Sequence, residues 1–235
     1  MSYQLFKKLQ EQVSETVWHQ IVHIFAGISG AEHEKMKEII YQVLRPLYDV
    51  RIPITIDNDA ITALYAGTGG KPGIVQIAGT GSITFGVNEK QIRGRAGGWG
   101  HLIAENSSGY FIGSAGLEAA FAAMDGLGDE TLLVEKFIRH FQVETLPQIV
   151  HAIYHHSNVK EQIASLATLV FDAANEGDRI AVAILQQTGE NIGHSIVALS
   201  KRLFSKEERQ QGILVILAGS IFKQKDWFET GMSAY

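Results

Sequence analysis

The sequence predicts an α/β fold, in which buried strands alternate with amphipathic helices. Within the first 67 residues, stretches of apolar residues at helical spacing alternate with compact apolar runs, in the order α-β-α-β-α. This order favours a parallel sheet covered by helices. A glycine-rich zone follows, with 14 of the 24 glycines between Gly67 and Gly116, and most of the remaining chain is helical in pattern.

Each element of the first part has a local signal. Apolar residues four apart predict an opening helix, two short apolar runs predict strands, and Pro46 ends the helix between them. The predicted elements are a helix through Leu5, Leu9, Val13 and Val17, a strand over Ile21–Ala26, a helix begun by a capping box of Ser29 and Glu32, a strand over Ile52–Ile56, and a helix capped by Asp57–Asn58 that ends at Gly67.

The glycine-rich zone predicts a β-hairpin, because two β-rich runs, Ile74–Ile77 and Ile83–Val87, enclose a turn of small residues. A third short strand is expected over Gln91–Arg95. The segment Gly67–Gly73 has the glycines of a phosphate loop, but no Gly-Lys-Ser or Gly-Lys-Thr follows and no helix begins behind it. A flexible junction between two domains, residues 1–70 and 71–235, is the better interpretation.

The last part of the chain predicts two helices and a strand. A capping box of Asn158 and Glu161 begins a helix that ends at Gly177, and a long helix runs from Asp178 to about Phe204. The apolar run Ile213–Leu217 is expected to be a buried strand that leads into Ala218-Gly219-Ser220.

Composition excludes several classes of protein. Hydrophobic residues make up 46% and charged residues 19%, and the net charge of −5 includes no basic stripe, so nucleic acid is not an expected partner. The absence of cysteine excludes disulfides, iron–sulfur clusters and thiolate zinc sites. No apolar run reaches the roughly 20 residues that span a bilayer. We therefore expect a cytoplasmic protein that does not bind membranes.

The tetrapeptide Gly79-Thr80-Gly81-Ser82 is the leading candidate for a phosphate site. Its tip has no bulky side chain, so backbone N–H groups and two hydroxyls can surround a phosphate. The alternative is an ordinary hairpin with a permissive turn.

Asp59 is the candidate general base, since it begins a helix directly after a buried strand and can accept a proton from a hydroxyl. The alternative is a carboxylate that caps the helix. Because three polar residues follow one another here, Asp57 or Asn58 can cap the helix while Asp59 points outward.

A second cluster of candidates follows the hairpin. Trp99, between glycines, is either a wall for a sugar ring or a core tryptophan, and His101 either bonds a ligand hydroxyl or is structural. Glu105 and Asn106 either line the same pocket or cap a helix that begins near residues 107–108. The other histidine cluster, His151, His155 and His156, lacks an acidic or cysteine partner, so no metal site is expected.

Four segments, in this order, resemble the N-acetylglucosamine kinase family, which is of the BadF/BadG/BcrA/BcrD ATPase type within the actin-like and sugar-kinase superfamily. They are Asn58-Asp59-Ala60, Ala78-Gly79-Thr80-Gly81-Ser82, Gly97-Gly98-Trp99-Gly100-His101 and Ala218-Gly219-Ser220. The resemblance covers most of the chain.

The resemblance implies a two-lobed actin-like ATPase (ribonuclease H-like) fold with a helix-rich second lobe. It implies that ATP, with Mg²⁺, and an amino sugar such as N-acetylglucosamine bind in the cleft, and that Asp59 takes the proton from the sugar hydroxyl. A homodimer is left open. The implied ATP contacts are Gly79, Thr80, Gly81, Ser82 and Gly219, and the expected sugar contacts are Asn58, Ser82, Trp99, Gly100, His101 and Glu105.

The chain also departs from the family pattern. The family's first phosphate loop, Asp-Gly-Gly-Gly-Thr, has no counterpart, and residues 104–108 read Ala-Glu-Asn-Ser-Ser where the family has Gly-Asp-Glu-Gly-Ser. We expect residues 1–70 to be a partial first lobe and residues 71–235 to be a second lobe without its last elements. A non-catalytic sugar- or nucleotide-binding module, or an inactive remnant, is thus the alternative to a kinase.

Overall fold

The computed structural model describes residues 11–18, 20–31 and 33–233. The chain divides into two units, Met1–Thr62 and Ala63–Tyr235. Their boundary falls inside a helix, whereas the sequence prediction put the junction at residue 70. The assignment of the units as partial lobes of a larger protein stays a prediction.

The first unit contains a parallel pair of strands, β1 (Ile24–Gly27) and β2 (Ile54–Asp57), in register from Ile24 opposite Ile54 to Gly27 opposite Asp57. The parallel arrangement predicted from the α-β-α-β-α order is therefore confirmed. Buried Ala31, Leu44 and Ile56 form its core. Its helical elements are α1 (Glu15–Trp18), α2 (Glu34–Leu44) and a 3-10 turn (Arg45–Leu47).

Two predictions for the first unit have a different outcome. Leu5, Leu9 and Glu32 lie outside the described residues. Among the described ones, the helix predicted to continue through Val17 is interrupted at Val13 and Ser14, and Glu15–Trp18 is a separate short helix, α1. The second helix begins at Glu34 rather than after Ser29. The reason is that the chain leaving β1 turns first: Ile28 N–H bonds Asp57 O, and Ala31 N–H bonds Ile28 O across the left-handed Gly30.

The second unit is built on a four-stranded sheet in the order β5-β4-β3-β6. Strands β3 (Gly73–Ala78), β4 (Ser82–Val87) and β5 (Arg93–Gly97) are successively antiparallel, and β6 (Val215–Ala218) is parallel to β3. The predicted hairpin is confirmed, and the third strand is present over Arg93–Gly97 rather than Gln91–Arg95. One helix, α3 (Asp59–Thr68), precedes the sheet and crosses the boundary between the units.

Inside the hairpin, Gln76 and Thr84 stand opposite each other and are each 1% exposed. The Thr84 hydroxyl donates to the Gln76 side-chain oxygen, and Gln76 Nε2 donates to Ile77 O at 3.3 Å. A buried polar pair is tolerated when its members bond each other, as they do here.

Helices make up most of the second unit. The long helix predicted from Asp178 is confirmed as Arg179–Leu203, with Asp178 Oδ1 accepting from Ala181 N at 2.8 Å. The helices are α4 (Gly109–Met124), α5 (Leu133–Phe141), α6 (Gln148–Tyr154), α7 (Val159–Ser165), α8 (Ala167–Asn175), α9 (Arg179–Leu203), α10 (Lys206–Gln211) and α11 (Asp226–Ser233), with a 3-10 turn over Ser220–Gln224.

The single helix predicted from Asn158 to Gly177 is wrong, because the structure divides it into α7 and α8 at Leu166. The hydroxyls of Ser165 and Thr168 bond backbone carbonyls three residues earlier, at 2.6 and 2.9 Å. Such bonds compete with the helical ladder, and Leu166 N–H accordingly pairs with Ile163 O, a tighter turn. The Asn158 cap itself is confirmed by its bond from Glu161 N–H at 3.4 Å.

The main core lies among the helices, where buried Phe137, Leu185 and Phe228 belong to one cluster. Strand β6 is less buried than predicted, with Val215 40% exposed and no residue of the strand fully buried, because it lies at the edge of the sheet. Among the described residues, no helix combines the length and the apolar character needed to cross a membrane.

Candidate functional site

The tip of the hairpin is a turn over Gly79–Gly81 at the carboxyl end of β3. Ala78 and Ser82 form the last strand pair, and Gly79 N–H donates to Gly81 O at 2.9 Å. Thr80 is exposed. The tip therefore presents backbone and the Thr80 hydroxyl to its surroundings, one hydroxyl rather than the two predicted, because the Ser82 hydroxyl donates to Glu105. Phosphate binding at this turn stays a prediction.

The start of α4 packs directly on this tip. Gly109 N–H donates to Gly79 O at 2.7 Å, and a Cβ at Gly109 would lie 3.1 Å from the same oxygen and 3.2 Å from Ala164 O. Ser108 caps the helix, since its Oγ accepts from Phe111 N–H at 3.3 Å. The positive end of a 16-residue helix thus lies beside the hairpin, where it favours an anion.

Glu105 holds the other side of the tip. Its carboxylate accepts from Ser82 N–H at 3.1 Å, from Ser82 Oγ at 2.6 Å and from Ser107 N–H at 3.4 Å. The sequence predicts either a sugar contact or a helix cap at Glu105; the cap is Ser108, and the Glu105 carboxylate is bonded to the hairpin. A contact between Glu105 and a sugar stays a prediction.

Gly219 follows β6 at the same edge of the sheet as the hairpin tip, because β6 and β3 are parallel and Ala218 pairs with Ile77. Its φ is +113° and ψ is 169°, a conformation that is almost confined to glycine. A Cβ there would lie 2.1 Å from Ala78 O, so only glycine allows the two strand ends to come this close. Ligands of α/β sheets commonly bind at such strand ends.

A cleft of about 540 Å³ opens between the tip and the helices. Buried Phe171, Ala167 and Ile221 form apolar surface in it, and Glu161 and Lys223 add charge. Two of the residues predicted to contact ATP, Gly79 and Thr80, line this cleft. The other three do not line it but are close in sequence to residues that do: Gly81 and Ser82 follow Thr80, and Gly219 precedes Ser220. Its lining is Gly79, Thr80, Gly109, Glu161, Ala164, Ser165, Ala167, Thr168, Phe171, Ser220, Ile221, Lys223 and Gln224.

Sequence reasoning missed the helical wall of this cleft, from Glu161 to Phe171, and the residues Lys223 and Gln224. These residues carry no binding motif: Glu161 is recognisable in the sequence only as part of the capping box with Asn158, and the others come from α7, α8 and the turn after β6. The one sequence signal for Lys223 and Gln224 was the segment Ala218-Gly219-Ser220, because Ser220 begins the turn that carries them.

The loop after β5 presents Trp99 to solvent. Gly97, Gly98 and Gly100 have φ of +70°, +73° and +91°, and Trp99 is 58% exposed, so it is not a core residue. Arg95 Cζ lies 3.9 Å from the centre of its ring, a cation–π contact. His101 meets Tyr110 edge-on, with 5.0 Å between ring centroids. Roles for Trp99, Gly100 and His101 in sugar binding stay predictions.

The polar cluster of the first unit lies at the carboxyl end of β2. Asn58 caps α3, because its Oδ1 accepts from Ala60 N–H at 2.7 Å, and its own N–H donates to Asp57 Oδ1 at 2.9 Å. Asp59 is the first residue of α3 and is half-buried. Within the described part of the chain, the Asp59 carboxylate accepts no hydrogen bond, so the capping role falls to its neighbour.

The three histidines on and after α6 interact with one another and with backbone. The rings of His151 and His155 stack 4.0 Å apart, and His156 Nδ1 accepts from Asn158 N–H at 3.0 Å. Across residues 11–18, 20–31 and 33–233, no three histidine or acidic side chains are grouped closely enough to hold a metal.

A glycine tip, a helix start and an apolar cleft at the carboxyl edge of parallel strands are features of α/β proteins that bind nucleotides. The chain belongs to the BadF/BadG/BcrA/BcrD ATPase family, whose model matches residues 4–231. The predicted family is thus confirmed.

Named relatives agree with this assignment. An N-acetylmuramic acid/N-acetylglucosamine kinase of Clostridium acetobutylicum is 31% identical over 198 residues, 84% of this chain and 63% of that protein. An N-acetyl-D-glucosamine kinase of Dictyostelium discoideum is 32% identical over 210 residues, 87% of this chain and 66% of that protein. The chain therefore spans just under two thirds of the length of these relatives.

Solved structures support the fold. A Chromobacterium violaceum protein, assigned provisionally as an N-acetylglucosamine kinase, aligns with 90% of this chain and 69% of its own, with a TM-score of 0.74 and 27% identity. A Porphyromonas gingivalis structure at 16% identity has a TM-score of 0.71, over 92% of this chain and 71% of its own, and supports the fold alone. The predicted mixed α/β, helix-rich fold class is confirmed.

Proposed function

We propose that this chain is a sugar kinase that transfers a phosphoryl group from ATP to a hydroxyl of an amino sugar. The observation that carries the proposal is the Gly79–Gly81 tip, held by Glu105 on one side and by the start of α4 on the other, at the mouth of the cleft of about 540 Å³. The size and apolar surface of the cleft suit a nucleoside, and the tip suits its phosphates.

Asp59 is the proposed general base. Because Asn58 already caps α3, the Asp59 carboxylate is available to a sugar hydroxyl instead of the helix. Phosphoryl transfer depends mainly on positioning and charge neutralisation, so the proposed base orients the sugar hydroxyl while the hairpin positions the phosphates.

N-acetylglucosamine is the proposed substrate, with Asn58, Ser82, Trp99, Gly100, His101 and Glu105 as the proposed sugar contacts. The names of the relatives support an amino sugar, since they include kinases for N-acetylglucosamine, N-acetylmuramic acid and glucosamine. Mg²⁺ enters with ATP, and the phosphates and water supply most of its ligands, as is usual for this ion. We place the protein in the cytoplasm, and a homodimer is the oligomeric state to be tested.

The test is an ADP-release assay with MgATP and a panel of N-acetylglucosamine, N-acetylmuramic acid, glucosamine and glucose. We expect turnover with an amino sugar, and Asp59→Asn should lower kcat about 10²–10⁴-fold with little change in the KM for ATP. The matched control is Asp129→Asn, at an exposed aspartate, which should behave as the unmodified protein.

The same measurements separate the alternatives. Binding of sugar and ATP in a calorimeter without ADP release indicates a non-catalytic module, and absence of both binding and turnover indicates a remnant. Turnover that persists in Asp59→Asn would contradict the role of that carboxylate while leaving the kinase intact. Light scattering of the purified chain tests the homodimer.

A further inference from the structure

Lys160 extends from α7 to the hairpin tip. A Cβ built on Gly81 would lie 3.5 Å from Lys160 Nζ and 3.5 Å from Glu105 Oε2, so the ammonium and the carboxylate flank this glycine. Gly81 is one residue along the hairpin from Thr80, which lines the cleft, and Glu161, next to Lys160, lines it as well. The ammonium therefore lies beside the turn where the proposed phosphates bind.

This ammonium has no partner in the part of the chain that the structure describes: Lys160 makes no hydrogen bond and no ion pair there. The nearby carboxylate of Glu105 is engaged instead by two Ser82 donors and by Ser107 N–H. A half-buried ammonium without an acceptor gives up part of its hydration without compensation, which is unfavourable unless a ligand supplies the acceptor.

The helix itself does not explain a cation at this position. Lys160 is the second residue of α7, and the first turn of a helix favours negative rather than positive side chains. Its charge also does not neutralise Glu105 by direct contact. An anion bound at the tip of the hairpin would account for the position of this lysine, because it would contact Lys160, backbone N–H groups and the start of α4 together.

We propose that Lys160 binds the phosphate chain of the nucleotide and thereby completes the anion site at the hairpin tip; this inference rests on the proposed kinase function. The ammonium acts as a point charge toward non-bridging oxygens, in the manner usual for lysine. The contribution is specific to phosphate, so it should be present for ATP, smaller for ADP and absent for adenosine.

Calorimetric titrations of the whole chain with MgATP, ADP and adenosine test this. Lys160→Met should bind MgATP about tenfold to a hundredfold more weakly, the range expected for one charge-assisted bond, and adenosine equally well. Lys160→Arg should recover part of the loss. The control is Lys201→Met, an exposed lysine on α9, which should bind all three ligands as the unmodified chain does.

If Lys160→Met binds adenosine as tightly as the unmodified chain and has the same circular dichroism spectrum, the variant is folded. If the methionine variant aggregates, Lys160→Gln replaces it in the same titrations. If the variants bind MgATP as tightly as the unmodified chain, the role of Lys160 is refuted while the kinase proposal stands. If the unmodified chain binds no nucleotide, the proposed function fails and this inference fails with it.

Discussion

Replacing Gly219 with alanine should destabilise the second unit more than a left-handed glycine normally would. Alanine at φ +113° and ψ 169° costs about 1–3 kcal/mol of backbone strain. Its Cβ would also stand 2.1 Å from Ala78 O, so strand β3 must move away from β6 at the strand ends that flank the cleft. This forced displacement adds about 1–3 kcal/mol, as for other overpacked positions.

A matched control isolates the second contribution. Gly212 has φ +95° and ψ 138°, and a Cβ there would find no atom within 4 Å, so Gly212→Ala carries the strain without the collision. Urea unfolding followed by circular dichroism gives both free energies of unfolding. With a slope of about 2 kcal/mol per molar urea, an additional 2 kcal/mol lowers the midpoint by about 1 M in Gly219→Ala relative to Gly212→Ala.

Equal midpoints for the two variants would refute the reasoning, since they would mean that the approach of Gly219 to Ala78 is not tight in the folded protein. Calorimetry adds an independent measurement. If the strand ends shape the cleft, Gly219→Ala should also weaken adenosine binding, and Gly212→Ala should not.

Two further predictions concern ionised side chains. Glu105→Gln replaces one acceptor oxygen with an NH₂ group that faces the Ser82 donors. It should lower the free energy of unfolding, measured by urea denaturation, by about 1–2 kcal/mol. The control is Glu118→Gln at an exposed position, and equal losses in the two variants would argue against the Glu105 bonds. Arg51 donates a hydrogen bond to Asp49 and holds the pKa of that carboxyl well below its usual range. The pair therefore stabilises the first unit fully at pH values above the ordinary pKa of an aspartate. This contribution is lost as the pH falls through the lowered pKa of Asp49. In Arg51→Met, an NMR titration should find the Asp49 pKa near its ordinary value, and an ordinary value already in the unmodified chain would contradict the pairing.

Elements with strong local signals could be predicted from the sequence. The hairpin follows from β-rich runs around Gly79–Gly81, and the long helix α9 from its Asp178 cap and apolar periodicity. Helix boundaries that depend on tertiary contacts could not be predicted. Nothing in the apolar spacing distinguishes one helix from two at Leu166, because the break depends on where two hydroxyls find acceptors.

The candidate site divides in the same way. The tip and Gly219 were found because each needs glycine for a backbone reason that is readable in a motif. The helical wall of the cleft and Lys160 were not found, because they are brought to the tip by the packing of α7 and α8 against α4. Asn58 and Asp59 were both singled out, but only the hydrogen bond from Ala60 N–H decides which of them caps the helix.

The hydrogen bond between Thr84 and Gln76 fixes the register of the two hairpin strands. If β4 slipped by two residues against β3, both side chains would stay on the same faces but lose each other, leaving two unsatisfied polar groups in a dry interior at about 1–3 kcal/mol each. The shifted register is therefore destabilised even though the flanking apolar residues would tolerate it. It follows that a few atoms in mid-strand determine which residues form the bend, and keep three small ones, Gly79 to Gly81, at its apex.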